Sequence, residues 1–307
     1  MRVDRSAYDV LTEDGPARVP AFAPDITVGD WLALAEDGSA ALLPRTSLLV
    51  RGAASGVSRN QPLAANVDVA MVCAALSAAL PVRRIERLLT LAWESGAAPV
   101  VVLTKADLHP DPEQAVEDLL PHAPGVPVVV TRAADGDVAA LAPYSLPGTT
   151  LVLLGASGAG KSTVVNALAG GHVMSTGDVR DVDGKGRHTT THRELVVLPS
   201  GAVVIDTPGL RGVALAGSEE GLAKSFSDVE ELAAACRFAD CAHASEPGCA
   251  VQASIEAGDL SAARMDSWHK LQREVAFQAR RTDLRLRAEE RAKWKSIAKA
   301  QRARAKP

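Results

Sequence analysis

The sequence has few aromatic residues, few cysteines and no long apolar run. Aromatic side chains make up 3% of the 307 residues, so the hydrophobic cores must consist mainly of Ala, Val and Leu. No apolar run approaches the ~20 residues that a membrane-spanning helix needs, and the opening segment MRVDRSAYDV lacks the apolar stretch of a signal peptide. These absences predict a cytoplasmic protein with no membrane partner.

The four cysteines do not suit a disulfide framework, because three of them lie between residues 236 and 249. Such clustering in a chain of this length favours a reduced compartment and metal binding over disulfide formation. Cys73 is different, since it stands alone in an apolar segment. We interpret it as a core residue.

The charge is divided unevenly, although the formal net charge is only −4. Residues 264–307 contain 14 Lys/Arg and 5 Asp/Glu, a net of +9, whereas the rest of the chain has a net of −13. An acidic body with a basic C-terminal helix indicates a polyanionic partner that is reached through the tail. A solvated helix face would give the same charge run and stays open as the alternative.

Hydrophobic patterning divides the chain into three parts. Residues 1–62 contain short strands broken by turn residues, which favours a small β-barrel or sandwich. Residues 63–214 alternate apolar strands with helical stretches, including a predicted helix at Val82–Ser95 and a predicted strand at Thr150–Leu154. Their near-continuous Val and Leu runs are typical of a parallel sheet buried on both faces. Residues 215–307 are predicted to be helical around the Cys/His cluster.

A phosphate-binding loop is predicted directly after the strand Thr150–Leu154. Residues 155–162, GASGAGKS, match G-x-x-x-x-G-K-[ST] and precede a predicted helix, which is the context that this motif requires. Backbone amides of such a loop wrap the phosphates, while Lys161 neutralises the β and γ oxygens and Ser162 ligates Mg²⁺. The predicted nucleotide contacts are Gly155, Ala156, Ser157, Gly158, Ala159, Gly160, Lys161, Ser162 and Thr163.

Further candidates for the metal and the γ-phosphate lie downstream. Asp206 ends an apolar strand in VVIDTPG, where a Walker-B-type carboxylate holds Mg²⁺, and the N–H of Gly209 is placed to sense a γ-phosphate. The intervening segment GRHTTT offers the hydroxyls of Thr190 and Thr191 to the same metal. These residues predict a Mg²⁺-dependent site for a nucleoside triphosphate.

The identity of the base is predicted from the segment TKAD at residues 104–107. A carboxylate at Asp107 can accept hydrogen bonds from both N1–H and N2–H of guanine, whereas adenine offers no such pair of donors. Thr104 and Lys105 complete the motif, although a Lys/Asp pair after a strand is also common on protein surfaces. Together with the P-loop and DTPG, the segment favours guanine. No LSGGQ-like segment is present, which argues against an ABC-type ATPase.

The order of the motifs is unusual, because the base-reading segment precedes the P-loop and DTPG instead of following them. With AANVD at residues 64–68, TKAD, GASGAGKS, GRHTTTHREL, IDTPGLR and the later Cys/His cluster, the sequence resembles the circularly permuted small ribosomal subunit biogenesis GTPases, the RsgA/YjeQ family. The resemblance covers nearly the whole chain. It implies hydrolysis of GTP to GDP and phosphate, coupled to late maturation of the 30S ribosomal subunit, with 16S rRNA contacts from the barrel and the tail.

The same resemblance implies a multidomain α/β fold. An OB-like β-barrel is expected at residues 1–62, short by about one strand, and a circularly permuted P-loop GTPase domain at 63–214, with a mostly parallel sheet and helices on both faces. A helical zinc-binding domain with a basic tail is expected at 215–307. The protein is expected to act as a monomer.

Several positions near the predicted nucleotide site depart from the usual pattern. Thr104 replaces the Asn of N-K-x-D and lacks an amide that braces the nucleotide and the P-loop, which predicts modest affinity for guanine nucleotides. Residues 131–136, TRAADG, are a loose version of the S-A-x-x-G base loop. Leu210 follows DTPG and cannot orient the attacking water as a Gln does.

His188 is therefore the candidate that positions water, because an imidazole can polarise it near neutral pH. Lys161 and Thr190 are the other catalytic candidates. A lone histidine in a loop is usually only solvated, and this alternative stays open.

A metal site is predicted from Cys236-x4-Cys241-x-His243-x5-Cys249. Three thiolates and one imidazole fit a closed, tetrahedral Cys₃His zinc site of the structural kind. Three ordinary small hydrophobic residues and a surface histidine are the alternative. In the resembling family this cluster belongs to a zinc-binding C-terminal domain.

Two functions of other classes also remain open. One alternative to a ribosome-associated GTPase is an RNA-binding scaffold that binds nucleotide with little hydrolysis. The other is a P-loop ATPase unrelated to ribosomes. GTP turnover with and without 30S subunits separates the three.

Overall fold

The computed structural model describes residues 7–23, 25–35, 37–51, 61–77, 79–174, 194–206, 215 and 217–282. The predicted site residues His188, Thr190, Thr191 and Gly209 lie outside these ranges, as does the tail beyond Thr282. None of the helices in the described ranges has the length and apolar character needed to cross a membrane.

Twelve strands occur in the described ranges: β1 (Ala7–Thr12), β2 (Gly15–Pro20), β3 (Leu32–Leu34), β4 (Ala40–Leu42), β5 (Leu48–Arg51), β6 (Gln61–Ala65), β7 (Val69–Ala75), β8 (Ala98–Thr104), β9 (Val128–Val130), β10 (Thr150–Leu154), β11 (Glu194–Val197) and β12 (Val203–Asp206). The α-helices of the same ranges are α1 (Val82–Ser95), α2 (Pro112–Leu119), α3 (Lys161–Ala169), α4 (Glu219–Ser225), α5 (Ser227–Ala234), α6 (Ala250–Ala257) and α7 (Ala262–Thr282).

The N-terminal part consists of antiparallel strand pairs, β1 with β2, β3 with β4, and β5 with β6. A small core of its own contains Tyr8, Val10, Val19 and Ile26. The sequence patterning does not predict the pair β5–β6, and β6 extends past residue 62, where the first domain is predicted to end. Closure of these strands into an OB-like barrel stays a prediction, as do the three domain boundaries.

A six-stranded sheet forms the centre of the molecule, in the order β11-β12-β10-β7-β8-β9. Neighbouring strands are parallel from β12 to β9, and β11 is an antiparallel edge. The predicted mostly parallel sheet is therefore confirmed. Because carboxyl ends of parallel strands meet at one edge, the segments that follow β10, β7 and β8 lie close together there.

Helices cover both faces of this sheet, as predicted. Alternate residues of β7 point to opposite faces, so Val72 belongs to a core with α1, α2 and the C-terminal helices, while Met71 belongs to a core with α3. The apolar runs of the strands follow from this arrangement, since both faces are buried.

The C-terminal helices share the first of these cores. The apolar spacing of Trp268, Leu271, Val275 and Ala279 predicts that the first half of this helix packs against the C-terminal domain. Trp268, Leu271 and Val275 are buried on α7, together with Met265, whereas Ala279 is only half-buried. The four buried residues pack in the same core as Ile85 and Leu89 of α1. Gly221 brings α4 very close to α1, because an added Cβ would lie 2.8 Å from the backbone nitrogen of Glu94.

Asn66 joins the N-terminal strands to the sheet. Its side chain accepts a hydrogen bond from the Thr46 amide at 2.9 Å and donates one to the Gly29 carbonyl at 2.9 Å. Asn66 has a left-handed backbone conformation, with φ of 52°, which Asn tolerates better than most residues. The carboxylate of Asp68, two residues later, accepts from the Thr150 amide at 2.8 Å and so ties β10 to the start of β7.

Candidate nucleotide and metal sites

The P-loop follows β10 and leads into α3, as the motif predicts. Gly155 has φ of 147°, and a Cβ at this position would lie 2.5 Å from the Cys73 carbonyl oxygen, so only glycine fits beside β7. The Lys161 ammonium donates to the carbonyls of Gly155 at 3.0 Å and Ala156 at 2.7 Å. The loop therefore curls around the lysine head group, and α3 begins at the residue that is predicted to bind phosphate.

Cys73 lies under this loop and is a core residue, as predicted. Its side chain is 3% exposed. Burial raises the pKa of the Cys73 thiol to about 12, against a smaller opposite effect of the Lys161 charge. A thiol with this pKa is inert near neutral pH.

The candidate base-reading segment TKAD follows β8, at the same edge of the sheet. Thr104 ends β8, and Lys105 has a left-handed conformation with φ of 58°. Asp107 follows in a short 3₁₀ turn, where it is exposed. A non-glycine residue in the left-handed region is uncommon and is often found at a ligand site.

The Thr104 hydroxyl connects this segment to the P-loop. It donates a hydrogen bond to the Ala159 carbonyl at 2.9 Å and lies 3.4 Å from the Ala74 carbonyl. The absence of an amide at position 104 predicts a weaker connection to the P-loop. A connection is nevertheless present, because a shorter side chain reaches the loop from the end of β8.

The segment TRAADG lies beside TKAD. The Thr131 carbonyl accepts a hydrogen bond from the Ala106 amide at 3.4 Å, and the Thr131 hydroxyl is buried without a hydrogen-bond partner among the residues that the structure describes. Arg132 and Asp137 close the loop with an exposed ion pair of 3.0 Å. The loose match to a base loop thus lies next to the candidate base-reading segment TKAD.

The metal candidates of the nucleotide site are only partly described. Ser162 lies in the first turn of α3. Asp206 is the last residue of β12, which pairs in parallel with β10, so its backbone reaches the P-loop edge of the sheet. The other switch residues and the side chain of Asp206 lie outside the described part of the chain.

The structure brings the four predicted metal ligands together. The ligand atoms of Cys236, Cys241, His243 and Cys249 all lie within 4.8 Å of one another. The Cys236 and Cys249 sulfurs are 3.9 Å apart, and each lies 3.6 Å from Nδ1 of His243. Tetrahedral zinc with ordinary bond lengths places two sulfurs ~3.8 Å apart and a sulfur and a nitrogen ~3.5 Å apart. The donors therefore fit a Cys₃His metal site.

Surrounding groups hold the ligand loop in shape. The Glu246 carboxylate accepts hydrogen bonds from the amides of Ala242, Ala244 and Ser245 at 2.9–3.0 Å. Its own backbone amide and these neighbours lower the pKa of Glu246 to about 2. Cys249 caps α6, since its sulfur accepts from the Gln252 amide at 3.4 Å.

A buried ion network links the central domain to the C-terminal helices. The Arg264 guanidinium of α7 lies 3.0 Å from the Glu86 carboxylate of α1 and 2.8 Å from the Asp228 carboxylate of α5. Arg264 also donates to the Ser225 carbonyl at 2.7 Å and stacks on the Phe226 ring at 3.9 Å. The sequence gives no local signal for this network, because its members are far apart in the chain.

Helix α1 lies between the P-loop and the C-terminal helices. A cavity of about 230 Å³ separates its first turns from the P-loop and is lined by Arg84 and Ser157. On its other side, Arg87 pairs with Glu274 of α7 at 2.7 Å, and Glu94 accepts from the Ser218 amide at 2.6 Å. Helix α7 and the start of α4 therefore contact an element that borders the candidate nucleotide site.

Two family profiles match the chain. That of the RsgA GTPase matches residues 42–216, which include both the base-reading segment and the P-loop. That of the ABC transporter matches residues 144–302. The second match starts just before the P-loop strand and leaves out residues 104–107, and the chain has no LSGGQ-like segment. The shared P-loop accounts for it.

Relatives match this chain in sequence over most of its length. The chain is 50% identical over 309 residues to the small ribosomal subunit biogenesis GTPase RsgA of Streptomyces avermitilis, covering 96% of this chain and 84% of the relative. It is 48% identical over 293 residues to the RsgA protein of Opitutus terrae, covering 90% of this chain and 80% of the relative.

Solved structures agree with the architecture. YjeQ from Thermotoga maritima superposes with a TM-score of 0.62 at 26% identity and covers 88% of this chain and 94% of its own. YloQ, a circularly permuted GTPase, has the same TM-score of 0.62 at 24% identity, covering 89% of this chain and 93% of its own, and supports the fold.

Proposed function

The chain belongs to the RsgA family of GTPases, and from this premise we propose that it hydrolyses GTP to GDP and phosphate to assist late maturation of the 30S ribosomal subunit. The observation that carries the proposal is the contact between the two nucleotide-reading segments. TKAD and the P-loop are far apart in sequence, yet the Thr104 hydroxyl donates to the Ala159 carbonyl at 2.9 Å. One nucleotide can therefore contact both segments.

Different candidate residues bind the phosphates and the base of the nucleotide. The phosphates are bound by the amides of residues 155–160 and by the Lys161 ammonium. These hydrogen bonds and the attraction to the ammonium become stronger as negative charge develops on the transferred phosphoryl group. The exposed carboxylate of Asp107 accepts N1–H and N2–H of guanine. Lys105 in TKAD and Thr163 after the P-loop are further candidates for nucleotide binding.

Mg²⁺ is the metal that this donor set would hold beside the phosphates. A serine hydroxyl and a carboxylate are the oxygen ligands that Mg²⁺ prefers, so Ser162 and Asp206 are its proposed protein ligands, with Thr190 or Thr191 beside them. When bound, the ion neutralises phosphate charge. Gly209 is the proposed amide that senses the γ-phosphate.

His188 is the proposed residue that positions the attacking water, with Lys161 and Thr190 stabilising the transferred phosphate. The support is chemical, because Leu210 offers no polar group for this role and an imidazole does.

We further propose that the Cys₃His site holds one structural zinc ion. The donor set has no open position for chemistry, and the ligand loop is held by its own amides through Glu246. The ion would fix the region between α5 and α6, where His243 packs edge-on against Trp268 of α7 at a ring distance of 5.9 Å.

Zinc should be present at about one equivalent per chain, and its removal by a chelator should unfold residues 236–249, because structural zinc supplies local folding energy. Nucleotide binding should remain measurable, since α3 packs in the core on the other face of the sheet. Cys249→Ser should lose the metal, whereas Cys73→Ala is the matched control that keeps it. Metal analysis that finds no zinc in protein purified without chelator would end this proposal.

The proposed partners are the 30S subunit and its 16S rRNA, contacted by the N-terminal strands and the basic tail. Support comes from the net charge of +9 over residues 264–307, since Lys and Arg that neutralise phosphates release counterions and gain affinity. A monomer in the cytoplasm is the proposed acting form. Turnover of GTP with and without 30S subunits tests the whole proposal.

A further inference from the structure

Helix α7 buries one face and exposes the opposite one. The buried face packs in the core that α7 shares with α1. The opposite face carries four exposed residues at spacings of three and four positions, which form one line along a helix: Lys270, Arg273, Phe277 and Arg280. We call these four residues the α7 stripe. The stripe is ~15 Å long, since an α-helix rises by ~1.5 Å per residue.

The α7 stripe is cationic because helix α1 neutralises both acidic residues of α7. Asp266 pairs with Arg83 of α1 at 3.8 Å, and Glu274 pairs with Arg87 of α1 at 2.7 Å. Within the described ranges, no carboxylate forms an ion pair with the three basic residues of the stripe. Three uncompensated positive charges therefore lie on one exposed face.

An aromatic ring lies among these charges. Phe277 is 52% exposed, and Arg273 and Arg280 lie about one helical turn before and after it on the same face. An exposed ring leaves apolar surface in water, which is unfavourable. A ring between cations suits a ligand that has both flat apolar groups and negative charges. An unpaired nucleic-acid strand is such a ligand, because its bases stack on aromatic side chains while its phosphates attract Lys and Arg.

Other partners fit this face less well. A membrane surface binds the apolar face of an amphipathic helix, and α7 buries that face in the core. An RNA duplex keeps its bases paired and stacked, so it offers Phe277 no base to stack on. An acidic protein segment would pair with the cations and leave the exposed ring unexplained.

We propose that the α7 stripe binds single-stranded RNA: Phe277 stacks on an unpaired base, while Lys270, Arg273 and Arg280 contact the neighbouring phosphates. This role rests on the proposed function, since RNA is the partner proposed there for the basic C-terminal part of the chain. The stripe recognises an unpaired base as well as charge. Its positive charge also depends on α1, because Arg83 and Arg87 neutralise the carboxylates of α7.

Phe277→Ala tests the stacking contact. The Kd of the full chain for a labelled oligouridylate, which has no paired bases, should rise ~10-fold, which equals ~1.4 kcal/mol. An oligomer of the same length whose ribose-phosphate units carry no bases should bind the variant and the wild type equally. Phe277→Trp keeps an aromatic ring and should stay within ~3-fold of the wild-type Kd. Leu146→Ala removes another exposed apolar side chain and is the matched control, which should leave binding unchanged.

Salt dependence separates the phosphate contacts from stacking. Arg280→Ala should reduce the slope of log Kd against log salt concentration by ~0.7, which is the value for one phosphate contact on a single strand. Phe277→Ala should leave this slope unchanged, because stacking releases no counterions. Lys224→Ala is the matched control for charge, since it removes an exposed lysine of α4 that pairs with Glu220. It should change neither the Kd nor the slope.

Three results would each overturn the inference. They are a Kd of Phe277→Ala within ~2-fold of the wild type, an equal loss on the oligomer without bases, and a loss of the same size on duplex RNA. If Phe277→Ala does not fold, Phe277→Leu, which stays apolar and lacks the aromatic face, takes its place and should show the same loss. Wild-type protein that does not hydrolyse GTP would instead overturn the proposed function, and RNA binding through Phe277 would stand.

Discussion

Replacing Lys161 with alanine is expected to reduce GTP hydrolysis by ~10³-fold or more, because the ammonium that neutralises the β and γ oxygens is lost where charge develops. In the structure this ammonium already lies inside the loop, 2.7 Å from the Ala156 carbonyl and 3.0 Å from that of Gly155. Single-turnover hydrolysis at saturating GTP separates this loss from weaker binding.

Lys224→Ala is the matched control for that experiment. Lys224 is an exposed lysine of α4 whose ion pair with Glu220 is of the weak surface kind, so its removal should leave turnover unchanged. Hydrolysis by Lys161→Ala within ~10-fold of the wild-type rate would contradict the assignment of the P-loop as the phosphate site.

Replacing Arg264 with alanine is expected to destabilise the protein by ~3–5 kcal/mol, because the buried Glu86 carboxylate loses its guanidinium and keeps only His122, at 2.8 Å, as a partner in the described part of the chain. The Glu86 side chain is fully buried, and its second oxygen already has no hydrogen-bond partner among the described residues. A lower melting temperature, by ~10 °C, is the expected readout. The transition should include the central domain, because Glu86 belongs to α1.

Two variants make this result specific. Arg273→Ala removes an exposed arginine of the same helix and should change the melting temperature little. The double variant Glu86→Gln/Arg264→Met removes both charges of the buried pair and should recover part of the loss, since an apolar side chain can replace a buried ion. A melting temperature of Arg264→Ala equal to that of Arg273→Ala would show that the network does not join the two parts.

Much of the fold follows from local patterns in the sequence. Helix α1 and strand β10 begin and end where the patterning predicts them, because a long amphipathic stretch and a five-residue apolar run before a glycine loop are strong signals. The strands β5 and β6 are missed. They are short, and the sequence between them, GAASGVSRN, has no Asn-Gly or Asp-Gly pair of the kind that identifies a hairpin.

Some features of the candidate sites can also be predicted from local sequence, whereas others cannot. The P-loop and the Cys/His cluster are visible in the sequence because their chemistry lies within a few residues, and the structure places each set together. The contact from Thr104 to Ala159 spans 55 positions, and that from Arg264 to Glu86 spans 178. Such contacts depend on the strand order and the helix packing, which no local pattern specifies.

GTP turnover, measured with and without 30S ribosomal subunits and with ATP as the competing substrate, tests the central claim most directly. A ribosome-associated GTPase should hydrolyse GTP and not ATP, and the addition of 30S subunits should accelerate hydrolysis ~10-fold or more, because a partner completes the catalytic site. Equal turnover of ATP and GTP, or GTP turnover that 30S subunits leave unchanged, would contradict it.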